Sequence, residues 1–141
     1  MNDPYDLERF VLAQNRAGIY ASAVEELRRG QKTSHWMWFV FPQVAGLGQS
    51  QMSRTYAISG LDEARAYLRH PVLGPRLVEC ARIVASSTVP TAEAIFGGID
   101  TQKLRSSMTL FLHADPAQPV FKQVLDRYFD GRPDAATEQL L

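Results

Sequence analysis

The stretch LGPRLVECARIVASST, residues 73–88, places Leu73, Leu77, Cys80, Ala81 and Val84 at helical spacing, with Arg76 and Arg82 turned away. Apolar residues that recur every three to four positions share one face of an α-helix. Gly74-Pro75 falls near the start, where proline is tolerated, and Ser86-Ser87-Thr88 ends the pattern. Upstream, Leu61, Ala64, Tyr67 and Leu68 predict a shorter helix that His70-Pro71 must stop, because proline disfavours helical backbone in the residue before it. Earlier still, Tyr20, Ala23, Val24 and Leu27 face one way, Glu25, Glu26, Arg28 and Arg29 face solvent, and Gly30 supplies the stop. Asp3-Pro4 reads as the cap of a first helix carrying Leu7, Phe10 and Val11 to about Asn15, with Gly18 as the interruption.

Downstream, Thr91 to Phe96 can make one or two turns before Gly97-Gly98. Asp100 then caps a helix that carries Leu104, Met108, Phe111 and Leu112 inward, and Phe121, Val124, Leu125 and Tyr128 mark the last firm helix. The prediction is an all-α fold, one domain over residues 1–141 with about six or seven helices and one irregular aromatic and glycine-rich segment. Residues 1–4 and 131–141 are expected to fray.

Composition agrees. Sixteen Ala and fourteen Leu outnumber ten Val and five Ile two to one, which favours helix over strand. The 141 residues are 45% hydrophobic and 21% charged, the balance of a globular domain rather than a disordered tail. Fifteen basic residues balance fifteen acidic ones, so no global field holds a phosphate backbone, and no nucleic-acid partner is expected. No run of apolar residues is long enough to span a membrane, and acidic Asp3, Asp6 and Glu8 stand where a leader would be basic; a cytoplasmic protein without a membrane partner is expected. Cys80, the single cysteine, reads as a small core residue. His35, His70 and His113 lie far apart without a second ligand at helical spacing, so neither a metal site nor a cofactor is expected. His70 and His113 read as helix-end residues interacting with the last carbonyls.

The exception is the segment from Gly30 to Gly60. Trp36-Met37-Trp38-Phe39-Val40-Phe41 is an unbroken apolar run holding four of the chain's fourteen aromatic residues. A run this short is either a buried strand or a turn and a half of buried helix, and periodicity does not choose between them. Adjacent indoles beside His35, Gln43 and Arg54 are also the parts of a pocket that stacks a planar ring and hydrogen-bonds its edge. Gly46-Leu47-Gly48 with Ser50 reads as a surface loop, without the lysine and hydroxyl ending of a nucleotide loop. A second candidate is the helix start at Asp100, where Lys103 could meet an anion and Ser106, Ser107 and Thr109 add hydroxyls. The candidate ligand-binding set is therefore Trp36, Trp38, Gln43, Ser50, Arg54, Lys103 and Ser107, with His35 and Asp100 as candidate proton carriers in a hydrolysis of a glycosidic or ester bond. The ligand class is a nucleotide-like or phosphorylated ring compound. The competing expectation is a non-catalytic interaction or structural domain whose aromatic run is all core.

Ser34 through Gln43, Gly46-Leu47-Gly48 with Ser50, Tyr56-Ala57-Ile58, Tyr67-Leu68 to His70-Pro71 with Leu73-Gly74, and Lys103-Leu104 with Ser106-Ser107-Met108-Thr109-Leu110-Phe111 together resemble the bacterial family catalogued as domain of unknown function 1810. The resemblance runs from about Leu7 to Tyr128 and implies a mainly α-helical single domain. It implies no activity. A more distant resemblance, to the NADAR helical domains, implies a ligand related to ADP-ribose or NAD and carries over no catalytic residue.

Overall fold

In the computed structural model, which describes residues 3–141, the chain runs α1 (Glu8–Asn15), a 3-10 turn (Arg16–Gly18), α2 (Ile19–Arg29), α3 (Met37–Val40), α4 (Gln51–Thr55), α5 (Leu61–Arg69), α6 (Leu73–Ala85), α7 (Ala92–Ala114), α8 (Val120–Tyr128) and α9 (Ala135–Gln139). The fold is all-α. Among the described residues the β-type pairing is one isolated parallel bridge, Val44 to Ile58, closed by Ala45 N–H to Ile58 O (2.8 Å) and Ile58 N–H to Gln43 O (2.9 Å). No described helix is long and apolar enough to cross a membrane.

Local chemistry sets the boundaries. The Asp3 carboxylate accepts from the backbone N–H of Leu7 (2.7 Å) and Glu8 (3.0 Å), so it caps α1 from a tight turn rather than from the residue next to the helix. Left-handed backbone at Ala17 and Gly18 breaks α1 from α2, and Gly30 at φ 80° ends α2 with its N–H bonded to the last carbonyls. His70 corrects its expected role. Its Nδ1 accepts from Val72 N–H (3.1 Å) and Leu73 N–H (3.2 Å), because the Pro71 turn carries the ring toward the start of α6 and away from the end of α5. Gly74 allows α6 to close on α5: a Cβ there would stand 2.1 Å from Leu68 O.

Helices α6 and α7 form the centre, with α2, α5 and α8 packed on α6 and α5, α8 and α9 on α7. All five apolar positions read from residues 73–88 are buried, as are Leu104, Met108 and Phe111 of α7. Phe10, Tyr67, Phe111 and Phe121 form a chain of fully buried rings with successive centroids 5.2, 5.3 and 5.8 Å apart. Such contacts add to the burial that offsets the entropy of ordering the chain. Burial raises the Tyr67 phenol well above its ordinary pKa, and its oxygen accepts from Gln14 Nε2 at 3.3 Å.

Two expectations change, and the choice left open for the apolar run is settled. The apolar run is a helical turn, with Phe39 and Val40 N–H bonded to Trp36 O and Phe41 N–H to Met37 O. The glycine-serine loop contains α4, capped by Ser50 Oγ accepting from Ser53 N–H at 3.1 Å. Asp100 caps nothing: the break falls at Gly97 (φ 79°, ψ 171°), and Asp100 lies inside α7. Residues 131–141 contain α9: Asp134 caps it, accepts from Ser106 Oγ (3.0 Å) and donates its N–H to Thr109 Oγ1 (2.8 Å), while Thr137 is fully buried. The short α3, α4 and α9, of four or five residues each, account for the helices beyond the expected number.

Candidate functional site

Glu26 organises the site from beneath. Helical phase puts it beside Leu27 on the outer flank of α2, yet the loop after Gly30 folds back over it and leaves it 5% exposed. Its carboxylate accepts from Thr33 N–H (2.8 Å), Ser34 N–H (2.9 Å), Ser34 Oγ (2.5 Å) and Trp36 Nε1 (2.9 Å). Burial alone would raise its pKa, but the hydrogen bonds from Ser34, Thr33 and Trp36 outweigh it and hold the group at about 2. The expected solvent exposure of Glu26 is thus corrected: a buried carboxylate persists where several donors converge on it.

With the loop fixed, Lys32 reaches α7. Its backbone N–H bonds Ile95 O at 2.8 Å, and its Nζ donates to Ser34 O (2.6 Å) and pairs with Asp100 (2.8 Å) while lying 5.0 Å from the centre of the Trp36 ring. Asp100 also faces Lys103 at 3.6 Å, beyond hydrogen-bond length, and the Lys103 ammonium stands 5.0 Å from the centre of the Trp38 ring. The helix break at Gly97 opens the backbone beside these groups. The result is a cleft of about 360 Å³ whose wall holds Lys32, His35, Trp38, Asp100 and Lys103, with Ile99 on its rim. Two ammonium groups against one carboxylate leave it net positive, in a place where water is partly excluded and charge is less screened. Lys103 is a donor only, and the Trp38 indole offers the cleft its ring, its N–H being buried. The wall can therefore hold an acceptor-rich, anionic group.

Of the sequence-predicted residues, His35, Trp38, Asp100 and Lys103 line this cleft, and Gln43 meets Trp38 and Lys103 in a small hollow behind it. Trp36 is 1% exposed and spends its N–H on Glu26, so its indole packs the core and touches only a separate hollow with Ala17 and Ile19. Ser50 is a helix cap, Arg54 stands exposed on α4, and Ser107 is buried within α7; none of the three lines the cleft. Ser106 and Thr109 bond back to Gln102 O and Arg105 O and anchor the segment before α9. Among the described residues no group of three His, Cys, Asp or Glu side chains is placed to hold a metal ion. Sequence reasoning missed Lys32, Glu26 and the role of Gly97. Lys32 carries no periodic signal because it sits in a loop, whereas Asp100 and Lys103, three apart on one helix, could be paired by spacing alone.

These features define an all-α domain with a cationic, indole-walled cleft at a helix break. The chain belongs to the family described as protein of unknown function DUF1810, whose model matches residues 4–141. It is similar to the conserved hypothetical protein Rv1873 from Mycobacterium tuberculosis, whose crystal structure superposes with a TM-score of 0.95 at 52% identity, over 99% of this chain and 98% of that one. No curated protein matches it.

Proposed function

We propose that the chain is a small-molecule-binding domain whose cleft takes an anionic, nucleotide-like or phosphorylated ring ligand, related to ADP-ribose or NAD in its chemistry. One observation carries this reading: residues from two separate parts of the sequence, Lys32, His35 and Trp38 from one and Asp100 and Lys103 from the other, converge on a single cleft. Lys32 already pairs with Asp100 and donates to Ser34 O, so it sets the field, whereas Lys103 is held loosely and supplies the direct contact to the anion. Trp38 and Ile99 offer the planar and apolar walls that a ring requires. Hydrolysis is the narrower form of the proposal, with His35 at the rim as the proton carrier and Lys103 stabilising developing charge. Asp100, clamped between two ammonium groups, suits charge positioning better than proton transfer.

A thermal-shift panel of nucleotides, ADP-ribose, flavin precursors and sugar phosphates tests it. A ligand of the native state at a hundred times its dissociation constant adds about 2.7 kcal/mol of stability. Stabilisation by one anionic class, weakened by Trp38→Phe, is the expected result. A flat panel would leave the non-catalytic interaction domain as the better reading.

A further inference from the structure

The ends of α2 and α6 leave a second groove, of about 450 Å³, that shares no residue with the cleft. Gly30 makes it: a Cβ there would stand 2.7 Å from Val89 Cγ2, so glycine lets the end of α2 close on the chain leaving α6. That chain is fixed from behind by α8, whose Arg127 guanidinium donates to Ser87 O (3.2 Å) and Val89 O (3.0 Å) and whose Tyr128 Oη donates to Val89 O (2.8 Å). The groove is therefore formed before anything enters it, which lowers the ordering cost of binding. Its lining holds Arg28, Arg29 and Arg82 and no acidic residue, with half-buried Ile83 and Val89 as its apolar part. Arginines suit the carbonyl ends of helices, but the carbonyls here are already used. Leu27 O accepts from Gly30 N–H (3.1 Å), Arg82 O from Ser86 N–H (3.0 Å) and Val84 O from Ser87 N–H (3.1 Å). Arg28 and Arg29 meet Glu79 (3.7 Å) and Glu25 (3.5 Å), neither of which lines the groove, in exposed pairs that hold little energy. The exposed Arg82 guanidinium has no partner among the described residues. Donors thus outnumber acceptors along the rim.

We propose that this groove docks an acidic segment of a partner protein, its carboxylates taken by the arginine rim and one aliphatic side chain resting on Ile83 and Val89. Charge complementarity names the occupant: a guanidinium fork matches a carboxylate with two parallel hydrogen bonds, and three such forks face a space that holds no acid of its own. The apolar part selects a peptide, because a phosphate backbone or a lipid headgroup has no aliphatic side chain to place there. A nucleic acid would also need the basic surface to continue as a stripe, in a chain whose fifteen basic residues are balanced by fifteen acidic ones. The inference is independent of the cleft and of its ligand.

A random linear-peptide library displayed on phage, selected on the wild-type protein, tests it, with one selected peptide then synthesised and titrated by fluorescence polarisation. The expected peptides carry Asp and Glu around an aliphatic residue. Arg82→Glu should weaken the synthetic peptide about tenfold or more while melting at the wild-type temperature, Arg82→Gln should weaken it less, and Lys103→Met in the cleft should leave it unchanged. A library that yields no binder, or binders without acidic residues, overturns the proposal. So does an acidic peptide whose affinity survives Arg82→Glu, or one that is lost in Lys103→Met, since it would then sit in the cleft. Binding of single-stranded DNA or phosphatidylserine vesicles that Arg82→Glu abolishes, with no peptide bound, would give the groove to a phosphate-bearing partner and overturn it as well.

Discussion

Replacing Glu26 by Gln removes one charge and little volume, and its cost follows from four hydrogen bonds. In the native protein the carboxylate takes Thr33 N–H, Ser34 N–H and Trp36 Nε1 on one oxygen and Ser34 Oγ on the other. An amide oxygen can keep the first three as neutral bonds, about half as strong as charge-assisted ones, and the Ser34 hydroxyl can rotate to accept from the amide nitrogen. The pKa supplies an independent magnitude. A carboxyl held at about 2 in the fold against 4.5 for the free side chain corresponds to about 3 kcal/mol. Because the folded pKa is depressed, that stability is fully present above the unfolded value and is lost as pH falls toward 2. Urea denaturation of wild type and Glu26→Gln should therefore differ by about 2–3 kcal/mol near neutral pH, and the gap should shrink by half or more at about pH 3. A gap of the same size at both pH values, or none at either, would refute the buried-carboxylate reasoning. The loop that Glu26 holds also carries Lys32 and His35, so the variant should weaken any ligand of the cleft as well.

Gly97→Ala should cost about 1–3 kcal/mol, since φ 79° with ψ 171° is reached almost only by glycine, while Gly98→Ala next to it should be neutral; an added Cβ meets no atom within 4 Å at either position, so thermal melts of the pair isolate backbone strain. Cys80 is fully buried and burial pushes its thiol up to about 12, so a thiol reagent should label it only after unfolding, and rapid labelling of native protein would mean that α6 is rotated from the register described. Leu77→Ala and Phe111→Ala should each cost about 2–5 kcal/mol by chemical denaturation, whereas exposed Arg82→Ala should stay near zero.

The fold was legible where burial follows period. Residues 73–84, 104–112 and 121–128 show one apolar stripe each, and the stripes face the core, with Leu112 and Tyr128 half-buried at their ends. Boundaries that depend on chain reversal were not. His70 as a cap for the following helix, the placement of the break at Gly97 instead of Asp100, and the docking of α9 through Asp134 all depend on which segment lies alongside, which local propensity does not encode. The candidate site divides the same way. His35, Trp38, Asp100 and Lys103 were visible as residue types near aromatic or helix-start signals, and they meet. Trp36 looked equivalent to Trp38, but a helical turn sends alternate residues to different sides and gave its N–H to Glu26. Glu26 itself was assigned to solvent because periodicity scores a carboxylate by its phase and cannot count the donors that a later loop brings to it.

Isothermal titration of ADP and of pyrophosphate into wild type, Lys103→Met and Arg54→Ala tests the cleft most directly. Lys103 borders the cleft, and Arg54 does not. Loss of one charge-assisted contact to the anion should weaken binding to Lys103→Met by about tenfold or more, with Arg54→Ala equal to wild type. Equal affinity for Lys103→Met and wild type, or a loss confined to Arg54→Ala, would contradict an anion seated against the Trp38 and Lys103 wall.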